Sequence, residues 1–313
     1  MPDATGDATR FLDPAALSRI ESMEMRARLI VEGFITGLHK SPYHGFSVEF
    51  AEHRAYTPGD ELRHVDWKVY AKTDRYYVKQ YEEETNLRSY LVLDTSASMH
   101  YRRAEELTKL EYGAYLAAGL AALMLRQRDA VGLLAFDEEV HTALRPKATP
   151  GYLRRLLAQL ERLARRDESD APKRTGAAEA LAEVAERIHR RSLIVLVTDL
   201  FENVGRHDDL LKALRRLRHR GHEVVVFHVL EGATERRFAF PDAPMVFRDA
   251  ETGEEVSLRP QEVRQHYQEA AAHFSERFRR RCLEHDIDFA ELDTGTPYDE
   301  ALTAYLDKRE RLI

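Results

Sequence analysis

The feature that most constrains the fold is an alternation, from about Asp94 onward, of short apolar runs with amphipathic segments. The apolar runs are rich in valine and leucine and span Tyr90–Leu93, Ala130–Phe136, Leu193–Val197 and Val224–Phe227. Nearly continuous apolar strands are typical of a parallel sheet that is covered on both faces. The segments between them have helical spacing, as in 177–188 and 208–220. We therefore expect an α/β fold with a doubly wound, mostly parallel sheet.

One connection is too short for a crossover helix. Phe136 is separated by three acidic residues from the run Val140–Leu144, whereas parallel neighbours need a dozen or more residues between them. This spacing predicts an antiparallel hairpin at that point. Farther on, we expect a loop with a small hairpin at 237–258 and a helix that begins near Pro260. The single cysteine, Cys282, falls on the apolar stripe of that helix, which predicts a small buried hydrophobe.

The first part of the chain has a different pattern. A helix is predicted from about Pro14 to Phe34, and short strand-like alternations follow it, including Phe46–Phe50 and 76–81. We therefore predict two parts, an N-terminal helix with a small β-rich lobe at 1–87 and the α/β domain at 88–313.

Composition narrows the classes of function. The net charge is −7, from 47 Lys and Arg against 54 Asp and Glu, so the chain as a whole is not expected to attract nucleic acid. One cysteine excludes an internal disulfide framework. No apolar run approaches the roughly 20 residues that span a bilayer, so no membrane span is expected. A cytoplasmic location is the resulting expectation.

Short oxygen-bearing side chains stand where ligands bind in such sheets. Asp94, Ser96 and Ser98 directly follow the first strand, and Asp199 follows Leu193–Val197. Thr175 stands just before the next predicted helix. Ligands of doubly wound sheets bind beyond the carboxyl ends of the strands, so these side chains can meet at one point. Each of them alone is also compatible with a helix cap or a strand end.

A set of five oxygen ligands with only two carboxylates is the chemistry of a hard divalent cation. Mg²⁺ takes about six oxygens and usually keeps several waters. So few negative charges leave a bound cation partly uncompensated. The sequence therefore predicts a site for Mg²⁺ or Mn²⁺ that can accept a carboxylate from a partner.

This combination resembles the von Willebrand factor A domain and its metal-ion-dependent adhesion site, over residues 88 to 313. The resemblance implies a Rossmann-like sheet with a short antiparallel third strand. It also implies three ligand clusters, formed by Asp94, Ser96 and Ser98, by Thr175, and by Asp199. Leu200 departs from the family, which often has glycine after the last aspartate; this changes the loop and removes no ligand.

The N-terminal part is similar to the bacterial family known as domain of unknown function 58. The resemblance is carried by the stretches 39–50, 56–60, 65–68, 73–75 and 78–86, and it extends over almost the whole chain. Members of that family are often encoded beside a MoxR-type AAA+ ATPase. The resemblance therefore implies that such an ATPase, or a client presented to it, is the protein partner.

Enzymatic functions find less support in the residues. A phosphatase of the haloacid dehalogenase type needs an acidic residue two positions after its aspartate nucleophile, where this chain has Ser96. The Gly-x-Ser-x-Gly elbow and the phosphate-binding Gly-x-x-x-x-Gly-Lys-Ser/Thr loop are both missing from the sequence. We expect a binding module rather than an enzyme. Two alternatives stay open: a metal-dependent hydrolase that uses the same site with Asp199 as its base, and a scaffold whose metal site is vestigial.

Overall fold

The structure, a computed structural model, describes residues 13–20, 22–40, 53–55, 77–79, 88–104, 106–165, 177–188, 191–200 and 207–310. Its contacts divide the chain into two compact units, one formed by Met1–Gly37 with Leu87–Ile313 and the other by Leu38–Asn86. In the smaller unit, β1 (His53–Ala55) pairs antiparallel with β2 (Tyr77–Lys79). The predicted division at residue 87 stays a prediction, since most of 41–87 lies outside the described residues.

The larger unit contains a six-stranded sheet. In chain order its strands are β3 (Arg88–Asp94), β4 (Ala130–Phe136), β5 (Val140–Lys147), β6 (Leu193–Thr198), β7 (Glu223–Leu230) and β10 (Asp288–Asp293). Their order across the sheet is β10-β7-β6-β3-β4-β5. Every neighbouring pair is parallel except β4 and β5, which form the predicted antiparallel hairpin. The doubly wound, mostly parallel fold class is therefore confirmed.

Eight α-helices lie within the described residues. They are α1 (Pro14–Ser18), α2 (Met23–Lys40), α3 (Lys109–Arg126), α4 (Pro150–Ala164), α5 (Ala177–Arg187), α6 (His207–His219), α7 (Pro260–Leu283) and α8 (Asp299–Glu310). The predicted single helix from Pro14 to Phe34 was wrong, because the structure has two helices there. Asp13 caps the first of them, which ends at Ser18. The helix α4 was not predicted, although Pro150 and the leucines at 156, 157, 160 and 163 supply its signal.

Alternate residues of the central strands face opposite helical layers. Val92 of β3 and Leu196 of β6 belong to an apolar cluster with α5, α6 and the last turns of α7. On the other face α3 lies very close to the sheet, since a Cβ added at Gly113 would stand 2.9 Å from Val197 Cγ1. The glycine at that position therefore permits the close approach of helix and sheet. Helix and sheet are therefore closely packed at this position.

The leading helix α2 packs against α3. A Cβ added at Gly119 would lie 2.6 Å from Ile30 Cγ2, and the Arg26 guanidinium stands 4.3 Å from the centre of the Tyr115 ring. Beyond the sheet, β8 (Met245–Arg248) and β9 (Glu255–Leu258) form the predicted small hairpin. Cys282 is fully buried, and burial raises the pKa of its thiol to about 12. Among the helices that the structure describes, none is both long and apolar enough to cross a membrane.

Candidate functional site

The candidate site lies at the carboxyl edge of the sheet, between β3 and β6. The chain leaves β3 toward β4 on one side and returns after β5 to β6 on the other. The two strands pair in parallel with Leu93 opposite Val197, so they end at the same edge. Such a switch point opens the crevice in which ligands of doubly wound sheets bind. Asp94 ends β3 and Asp199 follows β6, as the sequence predicted.

Asp94 is fully buried, and both of its carboxylate oxygens are occupied. Oδ1 accepts a hydrogen bond from the Ser96 backbone N–H at 2.9 Å, and Oδ2 accepts one from the Thr198 hydroxyl at 2.7 Å. Burial, followed by the nearby charge of Asp199, raises the pKa of Asp94 to about 7 against these hydrogen bonds. The carboxyl therefore changes its charge near neutral pH, and a cation beside it would favour the ionised form.

The turn after Asp94 brings two serine hydroxyls together. The Oγ atoms of Ser96 and Ser98 lie 3.2 Å apart, and both residues are buried. Between them Ala97 begins a short 3₁₀ helix, Ala97–His100. Thr95 donates both its backbone N–H and its hydroxyl to the Phe136 carbonyl at the end of β4, each at 2.8 Å. The turn is thereby fixed to the neighbouring strand with two hydroxyl oxygens beside Asp94.

The loop after β6 holds Asp199 next to this turn. Leu200, which follows it, has a φ of 55°, in the left-handed region that glycine favours. For leucine this backbone costs on the order of 1 kcal/mol, which the burial of its side chain offsets. The Leu200 N–H donates to the Thr198 hydroxyl at 3.1 Å. The loop thus keeps a glycine-like conformation despite the substitution noted in the sequence.

The structure places a lysine in this site that sequence reasoning missed. Lys109 Nζ donates to Asp199 Oδ2 at 2.7 Å and to Glu235 Oε1 at 2.6 Å, and the lysine side chain is 1% exposed. Burial lowers the pKa of Lys109 more than any other single influence. The two carboxylates together outweigh burial and hold that pKa above its ordinary value. The ammonium is therefore charged at neutral pH.

Only an indirect signal in the sequence pointed to Lys109. It is the first residue of α3, whose N-cap is Thr108. A cation is unfavourable at a helix N-terminus, where the macrodipole is positive. A lysine there, at the start of a strongly apolar helix, indicates an anionic partner from elsewhere in the fold. That partner cannot be identified from spacing, since Asp199 is 90 residues away along the chain.

Glu235 comes from a short turn that follows β7. The residues Gly232–Arg236 form one π-helical turn, capped by the Glu231 carboxylate, which accepts from the N–H groups of Ala233 and Thr234. The second oxygen of the Glu235 carboxylate accepts from the Glu231 N–H at 2.7 Å. The Glu235 carboxylate thus connects the turn to Lys109 on one side and to the capping residue Glu231 on the other.

A histidine connects the Asp199 loop to the next strand of the sheet. His228 of β7 is buried, and its Nε2 lies 3.1 Å from the Asp199 carbonyl oxygen. Its other ring nitrogen faces Glu291 of β10 at 3.7 Å. The His228 imidazole, the Ser275 hydroxyl and the Arg236 guanidinium lower the pKa of Glu291 to about 2. Charged groups therefore extend from the site along the carboxyl half of β7 and β10.

Of the predicted ligands, the structure brings together Asp94, Ser96, Ser98 and Asp199, while Thr175 lies outside the described residues. Within the described part of the chain, no three or more His, Cys, Asp and Glu side chains form a group that could hold a metal ion. The predicted site has only two carboxylates among its ligands, and its other donors are hydroxyl groups. These oxygen donors fit a hard cation. The Lys109 ammonium beside Asp199 shows that positive charge is stabilised at this position.

A known family matches much of the chain. The family described as "Protein of unknown function DUF58" matches residues 52–277. An uncharacterized protein of Mycobacterium tuberculosis is 27% identical over 263 residues, which are 83% of this chain and 79% of that protein. An uncharacterized protein of Mycobacterium bovis matches with the same values.

Several solved structures resemble the chain. The aerotolerance-related membrane protein from Bacteroides fragilis has a TM-score of 0.47 and 17% identity, over 72% of this chain and 99% of that one. The conserved hypothetical protein BatB from Bacteroides thetaiotaomicron has a TM-score of 0.44 and 16% identity over the same shares. The SpRpn10 VWA domain has a TM-score of 0.37 and 14% identity, over 69% of this chain and 93% of that one. These resemblances concern the fold alone.

Proposed function

The chain belongs to the family described as "Protein of unknown function DUF58", and from that premise we propose that it is a metal-ion-dependent protein-interaction module. Its site at the carboxyl edge of the sheet captures an acidic group of a partner protein. The resident cation in this proposal is Mg²⁺ or Mn²⁺. The module binds and does not catalyse a reaction.

The observation that carries the proposal is the convergence of oxygen donors at the switch point. Asp94 and the hydroxyls of Ser96 and Ser98 belong to one fixed turn, and the Thr198 hydroxyl links that turn to the loop of Asp199. The two carboxylates are close enough for Asp199 to raise the pKa of Asp94. Few negative charges with several neutral oxygens suit a cation that takes its last ligand from outside.

Each residue has a defined part in this proposal. A bound Mg²⁺ would supply positive charge and an open coordination position for a carboxylate. Ser96 and Ser98 would offer hydroxyl oxygens, and Asp94 and Asp199 the negative charge. Thr175 is the fifth proposed ligand, on the strength of the sequence alone. Thr198 keeps the Asp94 carboxylate oriented by its hydrogen bond.

The proposed partner is a MoxR-type AAA+ ATPase or a client that it presents. Support for this partner comes from the resemblance, because members of the family are often encoded beside such an ATPase. We place the interaction in the cytoplasm on the ground of composition, since a single cysteine suits a reducing compartment. An assembly or chaperone-like task follows as the proposed role.

Calorimetric titration with Mg²⁺ and Mn²⁺ tests the site. The wild type is expected to bind with a dissociation constant between micromolar and millimolar, and Asp94→Ala is expected to lose that binding. Asp242→Ala is the matched control, because Asp242 is exposed in a loop and has no part in the site. Equal binding by wild type and Asp94→Ala would refute the proposed ligand set.

The interaction itself is tested with the MoxR-type ATPase immobilised and the chain applied with Mg²⁺ or with EDTA. Retention that needs Mg²⁺ and is lost in Asp94→Ala supports the proposal. Retention that persists in EDTA while the melting temperature falls supports a scaffold with a structural cation. Turnover of phosphoester or ester substrates that is lost in Asp94→Asn would favour the hydrolase.

A further inference from the structure

The site contains a cation of its own, the Lys109 ammonium. It lies 2.7 Å from Asp199 Oδ2 and 2.6 Å from Glu235 Oε1. A buried ammonium is stable only when nearby carboxylates compensate it. Lys109 therefore neutralises one of the two carboxylates proposed as metal ligands.

A divalent cation and an ammonium cannot both stay close to one carboxylate without mutual repulsion. In a buried site this repulsion is weakly screened, because solvent and salt are largely excluded. The Asp199 side chain is 3% exposed and that of Lys109 is 1% exposed, so water does not separate the two charges. Any cation that uses Asp199 must therefore compete with Lys109 for it.

The structure also provides a place for the displaced ammonium. The Glu235 side chain is 26% exposed, so it reaches farther toward solvent than Asp199. Because Glu235 already accepts from Nζ, Lys109 can leave Asp199 and keep one carboxylate partner. The Tyr101 ring, 5.7 Å from Nζ, offers a second favourable surface for the charge.

We propose that the Lys109 ammonium competes with the divalent cation for Asp199. In the metal-free protein the ammonium pairs with both Asp199 and Glu235. When metal binds, the ammonium leaves Asp199 and pairs with Glu235 alone. This inference rests on the proposed function and assigns a regulation to the same site. Competition from Lys109 lowers the affinity of the site for metal. Binding of metal also changes the contact between α3 and the turn Gly232–Arg236, because Lys109 belongs to α3 and Glu235 to the turn. Metal therefore occupies the proposed adhesion site only when the binding of metal or partner is favourable enough to displace the lysine.

The test is a Mn²⁺ titration followed by the electron paramagnetic resonance signal of free Mn²⁺. Lys109→Met and Lys109→Gln are expected to bind Mn²⁺ at least about tenfold more tightly than the wild type, because a buried positive charge beside the cation is removed. Glu235→Gln is expected to bind several-fold more weakly, since the displaced ammonium then has no carboxylate. Lys212→Met is the matched control, because it removes the same charge from an exposed ion pair with Asp209, and it is expected to change nothing.

Two controls separate this inference from the function on which it rests. Far-ultraviolet circular dichroism identifies any variant that does not fold, and the glutamine variant covers a failure of the methionine variant. Adding Asp94→Asn to Lys109→Gln should abolish the gained binding. If the wild type binds Mn²⁺ and the Lys109 variants bind equally, the competition is wrong and the metal site stands. If neither the wild type nor Lys109→Gln binds, the metal site and the competition both fail.

Discussion

The two ends of the central strands differ sharply in chemistry. In their middle, β3 and β6 consist of buried apolar residues such as Val92 and Leu196, which face the helices on one side of the sheet. At their carboxyl ends the same strands place Asp94, Thr198 and Asp199 in an environment that is equally buried. The middle of the sheet is therefore apolar, as in a hydrophobic core, whereas its carboxyl edge carries buried charged and hydroxyl groups.

The difference indicates which part of the strands stabilises the fold. Burying apolar surface contributes roughly 25 cal/mol per Å², so the middle of the strands stabilises the fold directly. Burying charges is costly even when they are paired, and apolar residues of similar size often stabilise a protein as well or better. A charged, buried strand edge therefore contributes less to stability than an apolar edge of similar size, which agrees with the proposed binding role.

Removing the buried ammonium of Lys109 is the most severe test of this difference. Lys109→Met leaves Asp199 and Glu235 without their shared partner, and breaking a buried ion pair costs about 3–5 kcal/mol. We expect the free energy of unfolding to fall by about 4 kcal/mol in EDTA at pH 7, measured by urea unfolding. A loss below about 1 kcal/mol would mean that the edge tolerates unpaired charge and is not electrostatically distinct from the core.

A truncation in the apolar middle provides the counterpart. Leu196 is fully buried in the cluster between the sheet and α5 and α6. Leu196→Ala should lower the free energy of unfolding by about 3 kcal/mol, from lost transfer energy and the cavity that remains. Because no charge changes, this loss should be the same at pH 5 and pH 7 in chemical unfolding experiments. A pH-dependent loss would show that the core and the edge are coupled.

The third prediction uses pH to test the polar edge of the sheet separately from its apolar middle. The pKa of Asp94 is raised to about 7 in the folded protein, so between pH 4 and 7 the folded state holds a proton that the unfolded state has lost. Stability must therefore fall as pH rises through this window, by about 2 kcal/mol between pH 5 and 7 from this residue. Asp94→Asn should remove that fall. Its urea midpoints at pH 5 and pH 7 should lie closer together than those of the wild type, and parallel shifts would contradict the raised pKa.

The apolar middle could be predicted from sequence because it depends on local pattern. Runs such as Leu193–Val197 are continuous and β-branched, and their spacing along the chain determines parallel or antiparallel pairing. The helix α4 was not predicted, although Pro150 and a stripe of leucines indicate a helix there. The break between α1 and α2 was not predicted because the apolar residues Leu17, Ile20 and Met23 continue a helical spacing across it.

The polar edge could be predicted only in part. Asp94, Ser96, Ser98 and Asp199 were found because they follow strands, and the carboxyl ends of neighbouring parallel strands must meet. Lys109 and Glu235 were missed because one begins a helix and the other lies in a turn after β7. Lys109 contacts Asp199 over 90 residues of chain and Glu235 over 126 residues, and no local pattern encodes such tertiary contacts.

The smallest expected effect concerns an exposed ion pair, and it shows how much burial changes the contribution of such a pair to stability. Lys212 of α6 donates to Asp209 at 2.7 Å, the same distance that separates Lys109 from Asp199, but the Lys212 side chain is 70% exposed. Exposed pairs contribute roughly 0–1 kcal/mol, since water and salt screen them and the side chains lose entropy on pairing. Lys212→Met should therefore leave the urea unfolding midpoint within experimental error of that of the wild type, under the conditions used for Lys109→Met. Two ion pairs of equal length would then differ severalfold in their effect on stability, and the difference would be due to burial. A loss at Lys212 comparable to that at Lys109 would instead assign both effects to the net charge of the chain.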